Sequence, residues 1–163
     1  MLTANDLDFL RERIDELRSA LFFNTSNAVL KLPTCIISTL QMDEAGQVWF
    51  FVNRPEQYLH EFDREFPARL DFFRKGKRFF LHLTGKAYII SDPEELNELI
   101  NVTDDVKQKA MSHMVLIKFK IATANYYERP VPGKSIVQKV RMQLSRLLFR
   151  EKYSYKPYLE PTY

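Results

Sequence analysis

The stretch that most limits what this chain can fold into is residues 35–53, CIISTLQMDEAGQVWFFVN. β-Branched and aromatic residues crowd both sides of a polar break at residues 43–46. Gly46 can take the positive φ that such a turn often needs. The pattern therefore predicts a β-hairpin, with one strand over residues 35–42 and the second after the turn.

Further strands are predicted by runs of apolar residues with a period of two. Residues 70–73 and 78–84 flank a polar turn at 74–77, and residues 86–90 extend the sheet. A last strand is marked by apolar residues that alternate with other side chains: Val115, Ile117, Phe119 and Ile121. Six or more short strands with helices around them indicate an α+β, mainly β fold, an antiparallel barrel with flanking helices.

Helical spacing of apolar residues predicts the flanking helices. The first stripe consists of Leu7, Leu10, Ile14, Leu17 and Leu21. A second helix is predicted to begin at residues 53–55 and to end at Pro67, with one apolar side formed by Tyr58, Leu59, Phe62 and Phe66. A further helix is predicted to begin at residues 92–95, with another turn or two over 104–110. A basic helix carries the stripe Ile136, Val140, Leu144 and Leu147 or Leu148.

Length and charge indicate one domain with a basic tail. The 163 residues are 45% apolar and 13% aromatic, which is typical of a globular chain. Residues 129–163 contain eight Lys and Arg against two Glu, whereas residues 1–128 have a net charge of −3. We therefore divide the chain into a barrel domain, 1–128, and a basic C-terminal helix and tail, 129–163.

Several classes of function have no support in the sequence. Cys35 is the single cysteine, so no intramolecular disulfide and no cysteine-based metal site can form. The four glycines are isolated, which excludes a P-loop and a dinucleotide fingerprint. No nucleic-acid motif accompanies the basic tail, and no apolar run is long enough for a signal core or a membrane span. We expect a cytoplasmic protein without nucleic-acid or membrane partners.

The hairpin also carries a family resemblance. GQVWFFV at residues 46–52 resembles the Gly-x-Leu-Trp-Phe-Phe-Thr segment of the general stress protein branch of the pyridoxamine 5′-phosphate oxidase-like, FMN-binding split-barrel family. NYYE at residues 125–128 resembles the Glu-Tyr-Trp or Glu-Phe-Trp of that family. The resemblance covers residues 7–128. It implies a split barrel, FMN as cofactor, and a homodimer with two flavin sites at its interface.

The resemblance also implies which residues contact the flavin. They are Ser38, Thr39, Phe50, Phe51, Val52, Asn53, Arg54 and Tyr127. Cys35 and Val52 replace an Arg and a Thr of the family's pattern, and residues 56–58 lack its cations. The phosphate site is therefore degenerate, unless other cations have taken over, for which the candidates are Lys31, Arg54, Arg74, Lys75 and Lys86.

Three functions follow from the resemblance. The first is FMN binding, with a flavin-dependent oxidoreductase activity in which the cofactor supplies the chemistry and no side chain acts as acid or nucleophile. The second is a non-catalytic, stress-related dimer of the same fold without cofactor. The third is a binder of haem or another planar ligand, in which a histidine such as His82 approaches the ligand.

Overall fold

The computed structural model of the chain describes residues 4–91 and 112–129, together with positions 94, 103, 104 and 108. These residues form one multi-turn α-helix, six strands and a short 3₁₀ turn at Leu59–Glu61. The helix α1 and the strands are, in chain order, α1 Ala4–Leu17, β1 Ser19–Asn24, β2 Cys35–Met42, β3 Gln47–Asn53, β4 Glu65–Phe72, β5 Phe79–Ile90 and β6 Met114–Glu128.

The strands close into a barrel in the order β1-β2-β3-β6-β5-β4. Every neighbouring pair is antiparallel, and β4 returns to β1. The hairpin of β2 and β3 is confirmed, since Gly46 has a φ of 76° in the turn that joins them. The predicted fold class is therefore confirmed: the protein is a mainly β, antiparallel six-stranded barrel.

The interior of the barrel is filled by alternate residues of every strand. Because successive side chains of a strand point to opposite faces, the inward set is apolar and the outward set is mixed. Four fully buried phenylalanines, one from each of four strands, dominate this core: Phe22, Phe50, Phe72 and Phe119. Burial of each such ring contributes about 1.5–3 kcal/mol, so the barrel is stabilised chiefly from within.

Helix α1 lies across one end of the barrel. Its buried residues Leu10, Ile14 and Leu17 join the barrel core. At its C-terminal end, Lys77 Nζ donates to Glu16 Oε1 at 2.5 Å, and this hydrogen bond lowers the pKa of Glu16. The helix ends at Leu17 rather than at Leu21, which lies in β1, because Arg18 takes a left-handed φ of 63°.

The predicted helix between Pro55 and Pro67 is wrong. Only Leu59–Glu61 is helical, as a 3₁₀ turn, and β4 begins at Glu65. Phe66 is buried inside the barrel, and the alternate residues Ala68, Leu70 and Phe72 follow it. The four-residue spacing of Phe62 and Phe66 is the spacing of one helix face, and it led to the wrong prediction. Pro67 is compatible with a strand because its fixed φ suits extended backbone.

The helices predicted over 92–95 and 104–110 lie mostly outside the described residues, and the basic helix and tail, 129–163, lie outside them except for Arg129. The division of the chain at residue 128 therefore stays a prediction.

Candidate ligand-binding site

Two rows of outward-facing side chains cross strands β3, β6 and β5. In one row Trp49 pairs with Lys118, which pairs with Tyr88. In the next row, two residues along each strand, the members are Phe51, Leu116 and Ile90. Paired residues of antiparallel strands have their side chains on the same face, so these six side chains form one continuous outer surface.

This surface has its own apolar cluster, separate from the barrel core. Trp49 and Leu116 are 1% and 3% exposed, and the partly buried Leu40, Phe51 and Ile90 pack against them. The indole N–H of Trp49 donates to Asp43 Oδ2 at 2.9 Å, which fixes the ring in the sheet. Lys118 Nζ lies 5.2 Å from the centre of the indole ring, within cation–π range.

Two adjoining cavities lie along this surface, and we call them together the outer groove. The smaller has a volume of about 70 Å³ and a largely apolar lining. That lining consists of Phe51, Arg54, Leu59, Ile90, Ser91, Met114, Val115 and Leu116. The larger, of about 410 Å³, shares Ile90 and Ser91 with it and is lined also by Arg64, Glu65, Tyr88, Ile89 and Lys118.

The larger cavity has charged walls. Arg64 Nη2 donates to Ser91 Oγ at 2.7 Å, and both residues line this cavity. At the rim, Lys86 donates to the Glu65 carboxylate, and this hydrogen bond raises the pKa of Lys86. Among the described lining residues, the charged side chains are those of Arg64, Glu65 and Lys118. The outer groove therefore combines an apolar half with a charged half.

Three of the residues expected to contact a flavin lie at the apolar half. Phe51 and Arg54 line the smaller cavity. Asn53 is exposed and pairs with Met114, which also lines it. The backbone N–H of Arg54 donates to the His113 carbonyl oxygen at 3.0 Å, which holds the end of β3 against β6.

Phe50 and Val52 face the other way. Both are buried members of the interior core, and the Phe50 ring lies 5.5 Å from the ring of Phe22. Strand alternation places them inside because Trp49 and Phe51 are outside. Their side chains therefore lie in the barrel interior and not in the outer groove.

The remaining expected contacts lie away from the outer groove. The hydroxyl of Thr39 donates to the Arg18 carbonyl oxygen at 3.0 Å, and Ser38 is exposed opposite Ser19 of β1. Tyr127 lies thirteen residues beyond Met114 on β6, a strand length of about 43 Å at roughly 3.3 Å per residue. One chain therefore does not bring Tyr127 and Arg54 to the same ligand.

The cations proposed from the sequence are likewise divided. Arg54 and Lys86 lie at the groove, as described above. Lys31 Nζ donates to the Ser26 carbonyl oxygen at 3.3 Å, and Arg74 Nη1 to that of Glu16 at 3.3 Å. Lys75 is exposed in the β4–β5 turn. The sequence analysis singled out neither Arg64 nor Lys118, both of which line the larger cavity.

The histidines give little support to haem as a ligand. His82 Nδ1 lies 2.6 Å from Asp71 Oδ1 on the outer face of β4 and β5. The ring of His60 stacks on Tyr58 at 5.5 Å. Within the described part of the chain, no group of three or more His, Cys, Asp or Glu side chains could hold a metal ion. Cys35 is partly buried, and this burial raises the pKa of its thiol.

The barrel agrees with what comparison with known proteins finds. The family model described as pyridoxamine 5′-phosphate oxidase like matches residues 5–147. Because this match spans most of the chain, the protein belongs to the pyridoxamine 5′-phosphate oxidase-like family. No curated protein matches the chain.

Solved structures show the same fold. A protein assigned to the general stress family from Xanthomonas campestris pv. campestris has a TM-score of 0.60 at 14% identity, over 85% of this chain and 97% of its own. A second structure is that of a protein from Clostridium acetobutylicum related to general stress protein 26, of the pyridoxinephosphate oxidase family. Its TM-score is 0.57 at 16% identity, over 78% of this chain and 91% of its own.

A third similar structure is the general stress FMN/FAD binding protein from Xanthomonas citri. Its TM-score is 0.55 at 15% identity, over 81% of this chain and 96% of its own. At such identities the likeness extends to the fold alone. Among the described residues, no helix combines the length and the apolar character needed to cross a membrane.

Proposed function

We propose that the protein binds FMN, with the flavin ring on the apolar half of the outer groove. The observation that carries this proposal is the cluster of Trp49, Leu116, Phe51 and Ile90 on the outside of the barrel. Barrel exteriors are ordinarily polar, and an apolar surface with a charged margin suits a planar ring that bears a phosphate. Membership of the family supports the choice of a flavin.

The side chains that line the groove are of the chemical types that such a ligand requires. Phe51 and Leu116 offer apolar contact to a ring, and Arg54 beside them offers charge-assisted hydrogen bonds. When bound, a flavin would supply hydride transfer, and the role of this chain would be to hold the ring and exclude water from it. An oxidoreductase activity related to pyridoxamine 5′-phosphate oxidase belongs to this proposal.

The single tryptophan provides the test. Trp49 is the only Trp of the chain, and it packs in one cluster with the groove residues Phe51, Leu116 and Ile90. A flavin absorbs where indole emits, so titration with FMN should quench the fluorescence of Trp49 saturably, with a micromolar or lower Kd. The visible absorbance of the flavin should change over the same range of concentration, because its ring leaves water for an apolar surface.

A control variant separates binding in the groove from binding elsewhere. Ile90→Glu places a carboxylate on the floor of both cavities and should abolish the saturable quenching, whereas Lys75→Gln, in the exposed β4–β5 turn, should leave it unchanged. A colourless protein whose Trp49 fluorescence ignores FMN would contradict the proposal and favour the non-catalytic alternative. An intense Soret band after addition of haem would favour the third function, a binder of haem or another planar ligand.

We further propose that the protein acts as a homodimer in which Tyr127 of one copy reaches the groove of the other. Tyr127 and Phe80 are 49% and 42% exposed and stack on each other with ring centres 4.6 Å apart. Phe73, at the adjoining end of β4, is exposed as well. Exposed aromatic residues in one place are typical of protein interfaces. In this arrangement, the beginning of β6 from one copy and the end of β6 from the other would lie at the same ligand.

The dimer has a separate test. Sedimentation equilibrium should give the mass of two chains, and Tyr127→Ala should weaken FMN binding by about tenfold, the effect of one aromatic contact. Phe23→Ala serves as the control, since Phe23 is an outward-facing aromatic residue of β1. A monomer at micromolar concentration, or a Tyr127→Ala variant with unchanged affinity, would contradict the arrangement.

A further inference from the structure

We propose that Asp43 is a positioning residue of the ligand site. Its carboxylate fixes the indole ring of Trp49, and this ring in turn holds the apolar wall of the outer groove in place. The inference rests on the proposed function, because the ligand whose affinity it concerns is FMN. Asp43 lies in the turn between β2 and β3 and acts on the ligand through Trp49 rather than by contact with it.

Both oxygens of the Asp43 carboxylate accept a hydrogen bond. Oδ1 accepts from the backbone N–H of Gln47 at 2.8 Å, and Oδ2 accepts from the indole N–H of Trp49 at 2.9 Å. The first bond closes the turn, whereas the second reaches a side chain of β3 six residues further along the chain. An aspartate can satisfy both donors with its two oxygens, but an asparagine has one oxygen and an NH₂ group that only donates.

The backbone of Asp43 is fixed as well as its side chain. Its N–H donates to the Gln47 carbonyl oxygen at 3.0 Å, and its own carbonyl oxygen accepts from the N–H of Gly46 at 3.1 Å. From helix α1, Arg11 Nη2 donates to the same carbonyl oxygen of Asp43 at 3.4 Å. Because these bonds leave the turn little freedom, the carboxylate holds the indole at one place on the outer face of β3.

Trp49 connects the turn to the groove by packing. It is 1% exposed and belongs to one apolar cluster with Leu116, Phe51 and Ile90, and these three residues line the smaller cavity. A buried N–H that loses its acceptor is unfavourable, so the indole would move if Oδ2 of Asp43 were removed. In a closely packed cluster such a movement passes to the neighbours, here the Phe51 and Leu116 side chains against which we place the flavin.

Asp43→Asn tests this role, because asparagine leaves one of the two N–H donors without an acceptor. The Kd for FMN, followed by the visible absorbance of the flavin, should rise about tenfold. The emission maximum of Trp49 should move in the same variant, since the indole loses a charged acceptor. Glu44→Gln removes the same charge from an exposed side chain of the same turn and should change neither quantity.

A double-mutant cycle with Trp49→Phe separates the indole from the turn. Trp49→Phe keeps an aromatic ring but removes the N–H, so by itself it should also raise the Kd for FMN about tenfold. In the Trp49→Phe background, Asp43→Asn should change the Kd by less than about twofold, because no indole N–H is left to hold. An equal rise in both backgrounds would mean that Asp43 acts through the turn alone and would overturn the proposal.

Each failure can be told from the others. If the natural protein does not bind FMN, the proposed function and this assignment are both overturned. If it binds FMN with a Kd that Asp43→Asn or Trp49→Phe leaves unchanged, only the positioning role is overturned. A Glu44→Gln variant that loses as much affinity as Asp43→Asn would attribute the effect to the charge of the turn, and would also overturn that role.

Discussion

Replacing Phe50 with alanine should lower the free energy of unfolding by about 3–5 kcal/mol, the usual cost of removing a fully buried aromatic ring. Phe50 is completely buried, its ring lies 5.5 Å from that of Phe22, and it belongs to the interior core. The cavity left behind would be enclosed on all sides by the barrel, which has little freedom to collapse. Urea denaturation monitored by circular dichroism measures this change.

The neighbouring residue should behave in the opposite way. Phe51 is partly buried on the outer face, so Phe51→Ala should cost less than about 2 kcal/mol of stability and should weaken FMN binding by about tenfold. This pair tests the placement of β3 directly. Strong destabilisation by Phe51→Ala together with a mild effect of Phe50→Ala would mean that the strand faces the other way.

Gly85→Ala should lower the stability by about 3 kcal/mol or more, at the upper end of the range for overpacked sites. Gly85 lies at the register shift in the β5–β6 pair. A Cβ built there would be 2.1 Å from the backbone oxygen of Lys120 and 3.1 Å from the nitrogen of Ala122. Because both are backbone atoms of β6, the methyl group could be accommodated only by separating the two longest strands of the barrel.

Gly76→Ala is the matched control, since Gly76 has a φ of 87° in the β4–β5 turn with open space around its Cα. The alanine there should cost only the strain of the left-handed conformation, about 1–2 kcal/mol. Equal effects of the two substitutions in urea denaturation would contradict the close approach at Gly85. A stabilising Gly85→Ala would contradict the register of β5 and β6.

Much of the barrel could be predicted from the sequence, because period-two alternation is a local signal. It correctly placed the hairpin, the β4–β5 turn at Gly76 and the inward face of β6. The prediction from sequence failed at Phe62 and Phe66, which were assigned to a helix. Their spacing of four is compatible both with one face of a helix and with the start of a strand. Only pairing with β1 and β5 decides that β4 begins at Glu65.

The site was less predictable, because it depends on which residues of distant strands become neighbours. The family resemblance placed Phe51 and Arg54 among the expected contacts, and both line the groove. It also included Phe50, since a run of aromatic letters does not say which rings face inward. Arg64 and Lys118 come together only through the order of β4, β5 and β6, for which no local pattern gives a signal.

A crystal structure of the protein grown with FMN would test the central claim most directly. The expected result is a flavin ring against Phe51 and Leu116 on the outer face of β3 and β6. A ring bound elsewhere on the barrel, or crystals that contain no flavin at saturating FMN, would contradict the assignment of the outer groove as the ligand site.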